Sequence, residues 1–356
     1  MIASDVIIVG GGLTGRALAD HLHRNHRDVH LIEARDRFGG RIQSRRMTAD
    51  DVAGWFDLGP SWFWPGQPLM QSLLTRFDLD HYAQCAEGLG CYQTPDGLVQ
   101  RGVGYATMRG SLRVAGGMSA LILALAATLP SRSYTLDHPI ASLRNTGKGV
   151  ELVDADEKIF ARARRVVLAM PPRLAAGLHF DPPLPASCLQ SLVTVPTWMA
   201  GQAKLVAVYK SAFWRDRGLS GDAMSQSGPL AEVHDATDET AGVPALFGFV
   251  GASVSQRRGR SETLVSAAIE QLAVLFGEGA DKPVAVEFKD WALDPLTAVE
   301  SDHIALTGHP EYGQSDSHLD PWPGALWFGS TELGLEFGGY LEGALQRAKV
   351  LADQLV

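Results

Sequence analysis

VIIVGGGLTGRALADHL, residues 6–22, is the stretch from which the fold is read. It opens on an apolar run of Val and Ile, passes through glycines, and continues with Leu13, Ala17, Leu18 and Leu22 at helical spacing. A second apolar run, VHLIEA at 29–34, completes a strand, helix, strand unit. Gly10, Gly12 and Gly15 then fit G-x-G-x-x-G in the context that gives the motif meaning, between a strand and a helix. Such glycines permit a tight turn, let backbone approach a diphosphate and let the helix pack on the strand. The first helical turn, with Leu13 and Thr14, offers unpaired N–H groups to the phosphates. Glu33 closes the second strand about 20 residues on, where an acid accepts the ribose hydroxyls. An acid there favours FAD or NAD over NADP. The alternative reading is a glycine turn in an empty doubly wound sheet.

Composition narrows the class. The chain has 356 residues, enough for two domains, with 46% hydrophobic and 20% charged residues. A formal charge of -9 speaks against a nucleic-acid surface, which relies on clustered Lys and Arg. RRGR at 257–260 reads as solvated loop charge. Cys85, Cys91 and Cys188 lack metal-ligand or C-x-x-C spacing, and His21 and His23 do not share a helix face. No metal site and no disulfide framework are therefore expected, and a reducing cytoplasm is the expected location. No leader is read in MIASD, and MSALILALAATL at 118–129 is too short to span a bilayer, so it is expected as a buried helix and no membrane partner is expected. No G-x-S-x-G surrounds any serine, so a hydrolase is unsupported.

Further along, LRVAGGMSALILALAATLP at 112–130 reads as strand, turn and helix, and GVELVDADEKIFARARRVVLAMPP at 149–172 as two or three strands. FDPPLP at 180–185 marks a crossing between domains. GQAKLVAVYKSAFW at 201–214, ALFGFVG at 245–251 and VAVEFKDWA at 284–292 read as strands of a second sheet. The helical SETLVSAAIEQLAVLFG at 261–277 lies between the last two.

What separates FAD from NAD is EARDRFGGRIQS at 33–44, which resembles the E-A-x-x-x-x-G-G-R pattern of the flavin-dependent amine oxidases. The resemblance implies that Ala34, Arg35, Gly39, Gly40 and Arg41 join Glu33 around FAD, the guanidinium of Arg41 offering a planar fork to phosphate oxygens. The alternative for Arg41 is a loop arginine paired with Asp36. WFDLGPSWFWPGQ at 55–67 is similar to the family segment beside the isoalloxazine ring, implying Gly59, Pro60, Ser61 and Trp62 against the flavin. DHPIASL at 137–143 would bring Ile140 to the adenine, and RRVVLAMPPRLAAGLHFDPPLP at 164–185 matches a family strand and crossing. Near the other terminus, FGSTELGLEFGGYLEGAL at 328–345 resembles the second flavin grip: Glu332 near the ribityl chain, Gly338 and Gly339 close to the ring, Tyr340 beside it and Leu341 opening a helix. Glycine there lets backbone approach a flat ring, and the helix dipole faces an edge that becomes anionic on reduction.

Lys204 alternates with Leu205, so it shares one strand face with Val206 and Val208. In the family, the lysine of this strand approaches the reactive flavin nitrogen through a water; the alternative is a strand-end lysine that reaches solvent. Tyr340, Trp62, Trp64 and Trp291 are the aromatic candidates for the pocket, Trp291 also for cofactor contact, and Lys204, Tyr340 and Trp62 are the catalytic candidates.

Overall, the resemblance implies an α/β fold: a Rossmann-like FAD-binding domain of the GR2 flavoprotein type from residues 1–80, 111–172 and 292–356. A discontinuous substrate domain, with a mixed β-sheet and helices, would come from 81–110 and 173–291. The implied activity is oxidation of a small-molecule amine to an imine by hydride transfer to flavin, with oxygen or another electron acceptor; a homo-oligomer is left open. Three departures refine it. TAVESDH at 297–303 lacks the cysteine and cage tyrosine of covalently flavinylated members, implying noncovalent FAD and an incomplete aromatic cage. The helical insertion before VAGGMSAL is shortened to residues 77–110, implying a more open pocket or one covered by a partner chain. Ser61 and Trp62 stand where amino-acid oxidases of the superfamily carry a carboxylate-binding arginine, which disfavours an α-amino acid. Open alternatives are a flavin desaturase or C–C oxidoreductase on a hydrophobic substrate, and a noncatalytic FAD-binding redox module.

Overall fold

The apolar run at the amino terminus becomes the strand Ile2–Val9 inside an eight-stranded sheet. It pairs in parallel with Ile159–Leu168 on one side and Val29–Ile32 on the other, which in turn pairs with Tyr134–Thr135. Leu326–Phe328 pairs in parallel with Ile159–Leu168, while Ile140–Asn145 and Val150–Asp154 extend the sheet as an antiparallel ribbon. Ile7 and Val9 enter one core cluster and Val6 and Ile8 the opposite one. Both faces are covered, which is why the strand is apolar throughout rather than alternating. On one face, Leu18 and Leu22 of the helix Leu13–Arg24 meet Leu351 and Leu355 of the helix Leu341–Leu355. Burying each such leucine contributes about 1.5–3 kcal/mol, so the two ends of the chain are held together over the same sheet. The computed structural model describes residues 1–103, 106–304, 306, 308–313 and 319–355.

The second sheet has seven strands in the order Ala285–Asp290, Ala203–Val208, Ala245–Val250, Leu230–Asp235, Leu219–Ser225, Leu89–Gln93 and Val99–Arg101. It is mixed, because Leu219–Ser225 pairs in parallel with Leu89–Gln93. The alternation expected around Lys204 is present. Leu205, Ala207 and Tyr209 bury against Leu272, Leu275 and Phe276 of the helix Ser261–Phe276, whereas Val206 and Val208 face Met47 and Phe56 of a hairpin formed by Ser44–Ala49 and Val52–Asp57.

Three expectations need correction. Residues 173–192 do not leave the first sheet at Pro172: the strand His179–Asp181 pairs with Ile140–Asn145, and Ala175, Phe180, Cys188 and Leu192 bury in the first sheet's core. Their apolar side chains find cover there before the chain crosses. The helix Ser119–Ala127 is buried on one side only, with Leu123 63% exposed. Finally, Arg257 is not solvated loop charge. Its Nε and Nη2 donate to the two oxygens of Asp290 at 2.7 and 3.0 Å, and its other hydrogens reach the carbonyls of Ala252 and Gly201. It is 3% exposed. No helix among the described residues is long and apolar enough to cross a membrane.

Removing one member of a buried ion pair leaves an uncompensated charge, so Arg257→Ala is expected to lower unfolding stability by about 3–5 kcal/mol, and the additional change Asp290→Asn to restore part of the loss. Urea unfolding of the two variants checks this.

Candidate active site

The Gly-rich turn is shaped by close approaches. Gly10 has φ +112°, and a Cβ on it would lie 2.3 Å from the Ala169 carbonyl oxygen. Gly15 lies against Gly10, where a Cβ would come 2.0 Å from the Gly10 oxygen, so its role is helix-to-strand contact and it does not line the cavity. At Gly12, by contrast, a Cβ would meet only the Gly39 oxygen, at 3.9 Å. The helix Leu13–Arg24 starts there with no side-chain cap and no acidic residue in its first turn. Its free N–H groups therefore face a space fit for an anion.

That space is one long cavity of about 540 Å³. The loops around the glycine turn and the second strand line it with Gly10, Gly12, Leu13, Thr14, Glu33, Ala34, Arg35, Gly39, Gly40 and Arg41, and Ile140 lines it too. Gly59, Pro60, Ser61, Trp62, Lys204, Trp291, Gly339, Tyr340 and Leu341 line the rest. Glu33 is buried and accepts from the N–H of Gly11 at 2.6 Å and of Arg35 at 2.8 Å, which fixes its carboxylate at the strand end. The Arg35 side chain pairs with Asp294 through both terminal nitrogens, at 3.0 and 2.9 Å.

Two glycine and glutamate assignments change. Glu332 is buried behind the wall, where its carboxylate takes a two-pronged hydrogen bond from Arg41 and another from Ser330. The Arg41 guanidinium keeps it well below the usual carboxylate range against the opposing effect of burial. Arg41 therefore pairs with Glu332, not Asp36, and Glu332 reaches the cavity only through Arg41. Gly338 does not line the cavity either; a Cβ there would come 2.3 Å from the Tyr312 Cβ and 2.7 Å from its ring, so its bareness makes room for tyrosine.

Lys204 is 4% exposed, donates to the Gly59 carbonyl and stands 4.9 Å from the ring centres of both Phe247 and Phe249. Burial pushes its pKa down to about 7, with Asp57 pulling the other way. Trp62 donates its indole N–H to Gln84 at 2.7 Å, and the Trp291 indole N–H reaches the Leu58 carbonyl at 2.8 Å. Tyr340 stacks on His309 at 4.8 Å and meets Trp64 edge-on at 6.0 Å, while Trp198 contacts His309 at 4.7 Å. The one ring in the stretch 297–303 is that of His303, whose Nε2 lies 3.0 Å from the Ala292 carbonyl oxygen, and the ring contacts of Tyr340 among the described residues are with His309 and Trp64. Among the cavity residues that sequence reasoning missed are Trp198, Met108, Phe249 and Glu232. The signal for Glu232 was available: in Leu230–Asp235, Glu232 and His234 are two apart on a strand and share a face.

The cavity's anion-ready glycine turn, its buried acid at the end of the second strand and its aromatic lining fit FAD. Glu33→Ala is expected to loosen FAD retention about tenfold, as loss of a charge-assisted hydrogen bond does. Flavin fluorescence after dilution measures it, and retention equal to the parent's removes Glu33 from the ribose.

The sequence profile of the family described as flavin containing amine oxidoreductase matches residues 101–356, and that of an NAD(P)-binding Rossmann-like domain matches residues 8–77. Putrescine oxidase of Kocuria rosea is 24% identical over 472 aligned positions that take in 100% of this chain and 95% of that protein. The alignment is longer than this chain by over a hundred positions. An L-amino acid dehydrogenase of Synechocystis is 22% identical, covering 99% of this chain and 94% of its own. In structure, cyclohexylamine oxidase of Brevibacterium oxydans superposes with a TM-score of 0.82 at 20% identity, covering 99% of this chain and 98% of that one. The chain belongs to the flavin-containing amine oxidoreductases, as an enzyme that holds FAD noncovalently and oxidises amines.

Proposed function

We propose that the preferred substrate is a primary or secondary amine without an α-carboxylate that carries a second cationic nitrogen at its far end. The observation that carries this reading is a row across three paired strands: Lys204 stands opposite Phe249, and Phe249 opposite Glu232. Neighbouring strands lie about 4.8 Å apart, so Glu232 is about 10 Å from Lys204 along one face. A lysine that burial holds near neutrality thus marks one end of an aromatic-walled space and a carboxylate the other.

The carboxylate is available to a ligand. Its Oε1 takes hydrogen bonds from Thr107 and the His234 ring, at 2.8 and 2.9 Å, while Oε2 has no protein partner among the described residues. The cavity arginines Arg35 and Arg41 are paired with Asp294 and Glu332, which weighs against the carboxylate of an α-amino acid. The relative named for putrescine, a diamine, accords with this choice more closely than the one named for L-amino acids.

Bound FAD supplies the two-electron acceptor for the hydride leaving the amine-bearing carbon. In this reading the residues of the site orient and dry the substrate. Trp62, Trp64, Trp198 and Tyr340 exclude water and present ring faces to the amine, an attraction of about 0.5–2 kcal/mol while it is cationic. Lys204 is anchored by the Gly59 carbonyl, leaving its remaining hydrogens to hold a water at the reactive end, and Glu33, Arg41, Gly339 and Leu341 keep the cofactor in register. The proposed setting is cytoplasmic, with oxygen or another redox partner as electron acceptor.

Anaerobic stopped-flow mixing with monoamines, diamines and polyamines tests the reading. Diamines are expected to bleach the flavin at the lowest concentrations, and air to restore the colour if oxygen is the acceptor; bleaching by α-amino acids in preference to amines would overturn it. Lys204→Met should keep FAD while slowing flavin turnover about tenfold, as removal of a proton-handling group does, and unchanged kinetics would remove Lys204 from the mechanism. Because the folded-state pKa lies below the ordinary lysine value, the penalty of burying Lys204 is complete below about pH 7 and fades as pH rises toward the lysine range. Lys204→Met is accordingly expected to raise the melting temperature at neutral pH, an independent readout of that buried charge.

A further inference from the structure

The next row of the same sheet face contains a buried histidine that the chemistry above does not use. Val206 pairs with Phe247 and Phe247 with His234, one pleat along from the row of Lys204, Phe249 and Glu232. His234 is 1% exposed. Its Nδ1 lies 2.8 Å from Asp222 Oδ1 and its Nε2 lies 2.9 Å from Glu232 Oε1. Both partners are carboxylates, so both ring nitrogens donate when the acids are ionised, and the ring is then an imidazolium between two anions. The side chains of Asp222 and Glu232 raise its pKa against the opposing effect of burial. The ring is clamped besides, edge-on to Trp62 at 5.1 Å and parallel to Phe247 at 6.1 Å. Asp222 is 6% exposed, and among the described residues its Oδ2 has no partner, so the one hydrogen bond of its carboxylate, to His234, is what holds that group.

We propose that Asp222 and His234 are positioning residues that fix the Glu232 carboxylate at the far end of the substrate cavity and set the net charge there to a single negative unit. The proposal rests on the reading of Glu232 as the contact for a second cationic nitrogen. A lone glutamate on a sheet face has three side-chain torsions to order, and in an apolar pocket its charge is disfavoured by desolvation. The His234 and Thr107 bonds hold Oε1, so Oε2 is aimed without further ordering when a ligand arrives. The imidazolium offsets one of the two acids, leaving one uncompensated charge to match one ammonium. A neutral chain end gains nothing from that charge and an anionic one is repelled, which makes the group a device for choosing among amines.

The experiment compares kcat/KM for a four-carbon diamine with that for the monoamine of equal chain length, on the flavin-loaded enzyme. In the parent the ratio is expected to favour the diamine. Glu232→Gln should collapse that ratio, and His234→Phe, which keeps a ring against Trp62 and Phe247, should lower it about tenfold through KM for the diamine. Asp222→Asn, which keeps the shape and loses only the charge, should move the ratio in the same direction and serves if His234→Phe does not fold. If the parent shows no preference for the diamine, the reading of Glu232 fails and this proposal with it. If Glu232→Gln collapses the ratio while His234→Phe and Asp222→Asn keep the parent's, the substrate reading stands and the positioning role is overturned. A purely structural role would change both amines alike and leave the ratio where it was.

Discussion

The ion pair between Arg41 and Glu332 joins positions 291 apart in the chain and closes the cavity wall from both termini. Glu332 is buried, so the pair stands in a low-dielectric setting where losing either partner leaves a charge without compensation. Around it the architecture is consistent. The amino-terminal and carboxy-terminal helices pack on each other over one sheet, and Glu342, in the first turn of the second, accepts from the N–H groups of Leu69 and Met70 to cap the helix Pro68–Arg76. The loop of Arg41 and the loop of Gly339 can border the same elongated space only because those contacts hold both ends in place.

Within that frame the proposed chemistry turns on two groups placed on one face of the second sheet. Lys204 and Glu232 are separated by Phe249 on the intervening strand, and both line an otherwise largely apolar cavity. The lysine has backbone and aromatic neighbours and is driven toward neutrality; the glutamate has hydrogen-bond donors and stays ionised. Burial disfavours the charged form of both side chains, and only at Glu232 do the partners, His234 and Thr107, outweigh it. The shortened segment at 77–110 still contributes to this wall, through Gln84 to Trp62 and Thr107 to Glu232.

Where sequence reasoning and structure part, the reason is long-range pairing. RRGR looks like solvent-exposed charge because its neighbours are polar, yet Arg257 finds Asp290 on an edge strand of the second sheet and is buried with it. Glu332 and Gly338 belong to the recognised glycine-rich segment, but their partners, Arg41 and Tyr312, are set by contacts no local pattern encodes. His309 reaches Tyr340, and Trp198 reaches His309, from segments with no periodicity to mark them, so these rings were not legible in the sequence.

By itself the sequence determined the strand, glycine turn and helix at 6–22, the acid at 33, the face on which Lys204 lies and the kinship that these residues carry, since each depends on residues close in the chain or on a motif with a fixed spacing. Only the tertiary structure decided which charges neutralise one another, which glycines face the cavity and which merely relieve a clash, and that Glu232 and His234 stand in register beside Lys204. Strand register is settled by the packing of whole sheets, and a one-residue slip would have turned those side chains to the opposite face.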